Sequence, residues 1–261
     1  MACVALITDY GVEDHYAGVL KGVILRIAPK AQVVDATHDI RPHDIVSGAF
    51  VLRQSWPWYP PGTIFLVVVD PGVGTGRRII AAKYAERFLV APDNGLVTFV
   101  HRDFPVEAIH RVENPRYFLP KISSTFHGRD IMAPVTAYLA NGVKLKEIGP
   151  AIEQLELLQV EHRARVEGGI IRGRVLHVDR FGNLVTNIHQ DQLDSVFGRN
   201  RVGSVWLNDV DLGPVRAAFS EVAVGQVLPI VGSSEFVEIA INQGSAARSY
   251  APVEALVVEI R

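Results

Sequence analysis

Two short runs, Cys3–Thr8 and residues 64–69, are apolar at nearly every position, and each gives way abruptly to an acid with a glycine close behind, Asp9-Tyr10-Gly11 and Asp70-Pro71-Gly72. A run that short, with no polar face, is the signature of a strand buried on both sides, as in parallel sheets. Between them, Tyr16, Val19, Leu20, Val23, Ile24 and Ile27 recur at the three-and-four spacing of an amphipathic helix over residues 15–27, which Pro29 closes. Further strands are expected at 32–36, 63–69, 78–84 and 87–91, and helices at 43–54 and 130–140, the last stopped by Asn141-Gly142. Strands alternating with helices predict an α/β domain around a central, mostly parallel sheet.

The texture changes after about Leu158. Short β-rich runs at 170–178, 184–188, 203–207, 227–231, 236–241 and 253–260 are separated by Gly and Asn, which predicts a smaller all-β, barrel-like domain. The charged stretch ending in Gly168-Gly169 reads as the linker, so the expected division is 1–165 and 166–261.

Charge and composition narrow the function. With 26 Lys and Arg against 28 Asp and Glu, no cationic excess exists to bind nucleic acid or an acidic membrane. No apolar run approaches the roughly 20 residues that span a bilayer, and the first residues are unlike a signal peptide. The single cysteine, Cys3, excludes an internal disulfide and a cysteine-cage metal site. A cytoplasmic protein is the expectation.

Three turns carry acids: Asp9, Asp70, and Asp93 in Asp93-Asn94-Gly95. In open α/β sheets ligands bind beyond the carboxyl ends of the strands, where a carboxylate can accept both hydroxyls of a ribose. The same residues also serve to nucleate turns or cap helices. The segment 70–78, DPGVGTGRR, lacks the Lys-Ser/Thr ending of a phosphate loop and leads into strand, so a phosphate site is rejected. Its glycines allow a reversal that returns Arg77 or Arg78 to Asp70. His127 lies in the polar turn Phe126-His127-Gly128-Arg129-Asp130, where a lone histidine is usually structural and a catalytic role is the less common alternative. His15, His38, His43 and Asp44 show no paired spacing typical of a metal site.

Taken in order, ITDYG, VVDATHDIRPHDI, GTIFLVVVDPGVGTGRR, APDNGL, FHGRD, DRFGNLVTNI and EIAINQGSAA span nearly the whole chain. This set resembles the S-adenosyl-L-methionine hydrolases, or hydroxide adenosyltransferases, relatives of the adenosyl-fluoride and adenosyl-chloride synthases. The resemblance implies hydrolysis to adenosine and L-methionine, and a homotrimer that binds S-adenosyl-L-methionine or adenosine between subunits. It implies a catalytic trio of Asp70, Arg77 and His127, with Arg77 chosen over Arg78 by its spacing from the acid. The halogenating relatives have Tyr-Pro in place of Asp70-Pro71 and Tyr-Ser in place of His127-Gly128. Adenosyl transfer to halide is therefore the rival enzyme reading, and a non-catalytic sensor of adenosine or adenosylmethionine the other.

Substrate contacts implied in the same way are Asp9 to the ribose, Asp179 and Asn183 to the methionine amino group, and Ser233 and Ser234 to its carboxylate. Phe181 is implied near the base and Asn242 at the adenine edge. The chain departs from the halogenase pattern at DRFGN, one residue shorter, at GSSEF, and at His43, which stands for a Trp. A sulfonium leaves as a neutral thioether and needs no general acid, so no metal or redox cofactor is expected. Asp70 and His127 are expected jointly to accept the hydrogens of an attacking water, while Arg77 fixes Asp70.

Overall fold

A computed structural model describes residues 2–198 and 203–261, and the chain divides into two compact units, Met1–Leu158 and Gln159–Arg261. The first unit is built on strands β1 (Cys3–Thr8), β2 (Gln32–Thr37), β3 (Ile64–Val68), β4 (Ile79–Tyr84), β5 (Arg87–Pro92) and β6 (Val106–Arg111). They form one sheet in the order β2-β1-β3-β5-β4-β6. Its helices are α1 (Tyr16–Ile27), α2 (Ile45–Ser55), α3 (Thr98–Asp103), α4 (Ala133–Ala140) and α5 (Leu145–Ile148).

All five residues of β3 are buried because both faces of the sheet are covered. Val4, Leu6, Ile64, Leu66 and Val68 pack with Leu20 and Ile24 of α1 and with α4, while Ala5, Ile7, Phe65 and Val67 pack with Leu52 of α2 and Val100 of α3. Alternate residues of each strand thus serve opposite layers. Each such fully buried side chain contributes about 1.5–3 kcal/mol, which outweighs any local propensity in placing these strands.

The sheet is mixed rather than mostly parallel. Strands β2, β1, β3 and β5 are mutually parallel, but β4 runs antiparallel to both β5 and β6. Only Ala85 and Glu86, with φ of 43° and 65°, separate β4 from β5. A two-residue link can join only antiparallel neighbours, because a parallel pair needs a crossover of a dozen or more residues. Neither residue is the Asn or Gly that usually announces such a turn. Helix α3 and strand β6 also lack a sequence signature, at six residues each.

The second unit contains β7 (Arg165–Glu167), β8 (Ile170–Val178), β9 (Leu184–His189), β10 (Ser204–Leu207), β11 (Val210–Pro214), β12 (Val227–Val231), β13 (Phe236–Ile241) and β14 (Val257–Ile260). Their order is β11-β10-β14-β8-β9-β13-β12, with β7 beside β8 and every pair antiparallel. A bridge between Arg216 and Ile230 brings the two ends together, so the sheet nearly closes as a barrel around Ile171, Leu184, Ile188, Val205, Val237, Ile239 and Val258. Two helices, α6 (Gln190–Phe197) and α7 (Ala246–Ser249), interrupt a segment whose sequence reads as wholly β.

Candidate active site

Strand β1 connects to β2 through α1 on one face of the sheet, and β2 connects to β3 through α2 on the other. The boundary between β1 and β3 is therefore a topological switch point, where the two crossovers diverge and leave a crevice at the carboxyl ends of the strands. Asp9 follows β1 and Asp70 closely follows β3, and the Asp9 amide donates to the Val68 carbonyl at 3.3 Å. Two of the three sequence-predicted acids, Asp9 and Asp70, thus stand at that crevice.

The loop after β3 folds back on itself. The Val73 amide donates to the Asp70 carbonyl at 3.2 Å, the Thr75 amide to Gly72 at 3.1 Å, and the Arg77 amide to Thr75 Oγ1 at 3.3 Å. This reversal returns Arg77 to Asp70: Nε donates to Oδ1 at 2.8 Å and Oδ2 at 3.0 Å, and Nη2 also donates to Oδ2. The pair is largely withdrawn from water, with side chains 10% and 5% exposed. Arg78, in the extended segment that follows, points elsewhere, to the wholly buried Asp93 and the Gln154 carbonyl. Gly74, at φ +80°, lets the loop lie directly on residue 124, because a side chain there would collide with the Ser124 carbonyl. That close approach brings the Asp70 loop against the segment that carries His127.

His127 precedes one turn of π-helix, Gly128–Met132, which runs into α4. Such turns recur at functional sites because they re-aim side chains. The segment is anchored by Asp130, almost wholly buried, which accepts from the Ser123 amide at 2.8 Å and from both Nε and Nη2 of Arg129. Arg77 Nη2 lies 3.2 Å from His127 Nδ1. A guanidinium can only donate, so Nδ1 is the acceptor and a neutral His127 carries its hydrogen on Nε2. Burial pushes the imidazole below the ordinary histidine range, the Arg77 cation pushes it the same way, and Asp70 and Asp130 oppose them.

Asp70, His127 and Asp9 line a cavity of about 280 Å³ together with Tyr10, Tyr16, Pro42, His43, Val73, Thr125 and Gly128. Tyr10, Tyr16 and Phe126 pack edge to face or tilted at centroid separations of 5.4–5.9 Å. Burial, with Asp9 and Asp70 adding to it, raises the Tyr10 hydroxyl well above its usual range, so it stays protonated. These aromatic walls carry no separate signal in the sequence, although Tyr10 sits inside the same motif as Asp9. Asp9 Oδ2 accepts from the His43 amide at 3.0 Å, and His43 holds φ at +69°. His38 bonds Thr8 and Asp35, and Asp44 caps α2 through the Ser47 amide. Among the described residues no three His, Cys, Asp or Glu side chains converge as a metal site.

In the second unit, Asp179 and Asn183 are joined: Asp179 accepts from the Phe181 and Asn183 amides at 2.9 and 2.8 Å and from Asn183 Nδ2 at 2.8 Å. Phe181 is 77% exposed. Ser233 is exposed, whereas Ser234 Oγ is buried with no hydrogen-bond partner among the described residues. Asn242 donates from Nδ2 to the Val222 carbonyl at 2.9 Å, a bond that ties the end of β13 to the segment preceding β12.

Comparison with known proteins identifies the family. Residues 4–149 match the SAM hydroxide adenosyltransferase N-terminal domain, and residues 173–252 the corresponding C-terminal domain. The chain is 36% identical over 270 residues, the full length of both, to a Thermus thermophilus protein named (R)-S-adenosyl-L-methionine hydrolase. It is 26% identical over 279 residues, 95% of this chain and 92% of the other, to a fluorinase of Nocardia brasiliensis. A crystal structure from Thermotoga maritima superposes with a TM-score of 0.90 at 38% identity, covering 100% of this chain and 99% of that one. The motifs, the two-unit architecture and both domain matches agree, and the chain belongs to the SAM hydroxide adenosyltransferase family.

Proposed function

We propose that this protein hydrolyses S-adenosyl-L-methionine to adenosine and L-methionine by in-line attack of water on C5′. The observation that carries the reading is the chain of contacts from Asp70 through Arg77 to His127 on one wall of the switch-point cavity. As the water oxygen bonds to C5′, the C5′–S bond breaks and its electron pair returns to sulfur, which leaves as a neutral thioether. The one proton to be removed is the water's. Asp70, with lone pairs to spare beyond those Arg77 engages, accepts it and passes it to solvent.

The geometry supports a division of labour different from joint acceptance by Asp70 and His127. With Nδ1 engaged by Arg77, His127 offers an Nε2–H, which donates to the water oxygen and orients it rather than taking its hydrogen. Arg77 sets both groups at once, holding the carboxylate and selecting the imidazole tautomer. Alignment of this kind supplies several kcal/mol of the roughly 7–11 available to well-oriented reactions. Asp9 binds the ribose hydroxyls, Asp179 and Asn183 the amino group, Ser233 and Ser234 the carboxylate, with Phe181 and Asn242 near the base. A homotrimer, in which a neighbouring chain completes the cavity, and a cytoplasmic location complete the reading. The chemistry asks for no metal or redox cofactor.

The deciding experiment is incubation with S-adenosyl-L-methionine in ¹⁸O-water. Label is expected in the 5′-hydroxyl of adenosine and none in methionine; intact substrate after prolonged incubation with excess protein would leave a sensor instead. The pH profile supplies a second check. His127 must be neutral for Nδ1 to accept from Arg77, and its pKa lies below the ordinary 6.5. The acid limb of kcat/KM is therefore expected below pH 6.5, with activity retained at neutrality. A limb centred above pH 7 would contradict the assigned tautomer.

A further inference from the structure

Tyr10 stands in the switch-point cavity beside Asp70 and His127, yet the proton bookkeeping above gives it no part. Its ring rests on the core layer that includes Leu20 and Met132 and meets Tyr16 and Phe126. The hydroxyl lands against Gly128, the residue after His127 and itself a cavity wall. A β-carbon at 128 would sit 2.7 Å from the Tyr10 hydroxyl oxygen, so the glycine is what leaves that oxygen its place. The hydroxyl makes no hydrogen bond to any described residue. A sheltered hydroxyl facing a cavity without a partner is open to whatever the cavity binds.

The needs of the attacking water indicate what that is. A water molecule has two hydrogens and two lone pairs. One lone pair forms the bond to C5′ and the other accepts from His127 Nε2–H, while Asp70 takes one hydrogen. The second hydrogen still needs an acceptor, and the need grows as positive charge builds on the water oxygen during attack. Asp9 is assigned to the ribose. Of the other polar walls, Tyr16, His43 and Thr125 are exposed, and Thr125 Oγ1 already lies 3.2 Å from Ser123 Oγ. Tyr10 is half-buried, and its oxygen has lone pairs to spare. Burial, with the charges of Asp9 and Asp70, keeps the phenol protonated, so it can accept a hydrogen bond and leave the proton itself to Asp70.

We propose that Tyr10 is a further catalytic residue: its hydroxyl oxygen accepts the second hydrogen of the attacking water and, with Asp70 and His127, fixes that water in line with C5′. This rests on the hydrolase reading above and adds a residue to it. Gly128 is the positioning residue that seats the hydroxyl.

The test is Tyr10→Phe, which removes one oxygen and keeps the ring with its contacts. Adenosine release is expected to slow about 10-fold in kcat, as for a lost hydrogen bond to a group gaining charge. KM for S-adenosyl-L-methionine and the calorimetric Kd for adenosine should each stay within about twofold. Because the hydroxyl bonds no described residue, the variant should melt no lower than wild type. Gly128→Ala, whose methyl displaces the hydroxyl, should lower kcat as well, and the double variant should lose little more than the worse of the two. A Tyr10→Phe kcat within about threefold of wild type would overturn the proposal, as would an adenosine Kd weakened as much as kcat. Fully multiplicative losses in the double variant would overturn the pairing of Tyr10 with Gly128. A wild type that released no adenosine would sink the hydrolase reading and this proposal together, whereas a fully active Tyr10→Phe would sink this proposal alone.

Discussion

Asp70→Asn is expected to lower kcat for adenosine release by at least about 100-fold, the lower range for removal of a positioned proton acceptor. Asparagine matches the shape of the carboxylate and still offers one oxygen to Arg77, so the cavity keeps its walls. What it lacks is a group that can take the water's proton, and the sulfonium cannot substitute because it leaves without needing one. The loss should appear in kcat, with adenosine affinity by calorimetry nearly unchanged, since the ribose is assigned to Asp9. A variant turning over within about threefold of wild type would show that the proton goes elsewhere, and His127 would have to be reconsidered as its acceptor.

Arg77→Met should be the most destabilising change at the site, by about 3–5 kcal/mol, the usual consequence of removing one member of a buried ion pair. Asp70 is 5% exposed, and without Arg77 it would keep neither its three guanidinium contacts nor water to replace them. Methionine fills comparable volume, so packing loss is small and the effect isolates the stranded charge. Urea unfolding followed by tryptophan fluorescence measures it, because Trp56 is fully buried in the same unit. Combining the change with Asp70→Asn should restore part of the loss, as the neutral side chain no longer needs a cation. A single-variant effect below about 1 kcal/mol would mean that the pair is solvated.

Much of the architecture is legible in the chain. The almost wholly apolar β1 and wholly apolar β3 read as central strands, and the helical spacing of α1 and the stop at Pro29 supply the crossover between β1 and β2. The change to short β-rich runs marks a second, barrel-like unit. The antiparallel half of the first sheet is not legible, because a two-residue Ala-Glu turn carries no residue that favours positive φ. The short helices α3, α6 and α7 span too few turns for a period to emerge.

The site divides in the same way. That acids stand at strand ends, and that a glycine-rich loop returns an arginine to one of them, follows from local patterns alone, since both depend on residues within a few positions of each other. Which arginine returns, which nitrogen of His127 accepts, and that Tyr10 and Tyr16, backed by Phe126, wall a cavity shared with His127 depend on contacts between segments dozens of residues apart. Periodicity records how a segment meets its own sheet or layer. Which side chains meet across layers, and which polar groups are left without a partner, is decided only when the packed fold excludes water from around them.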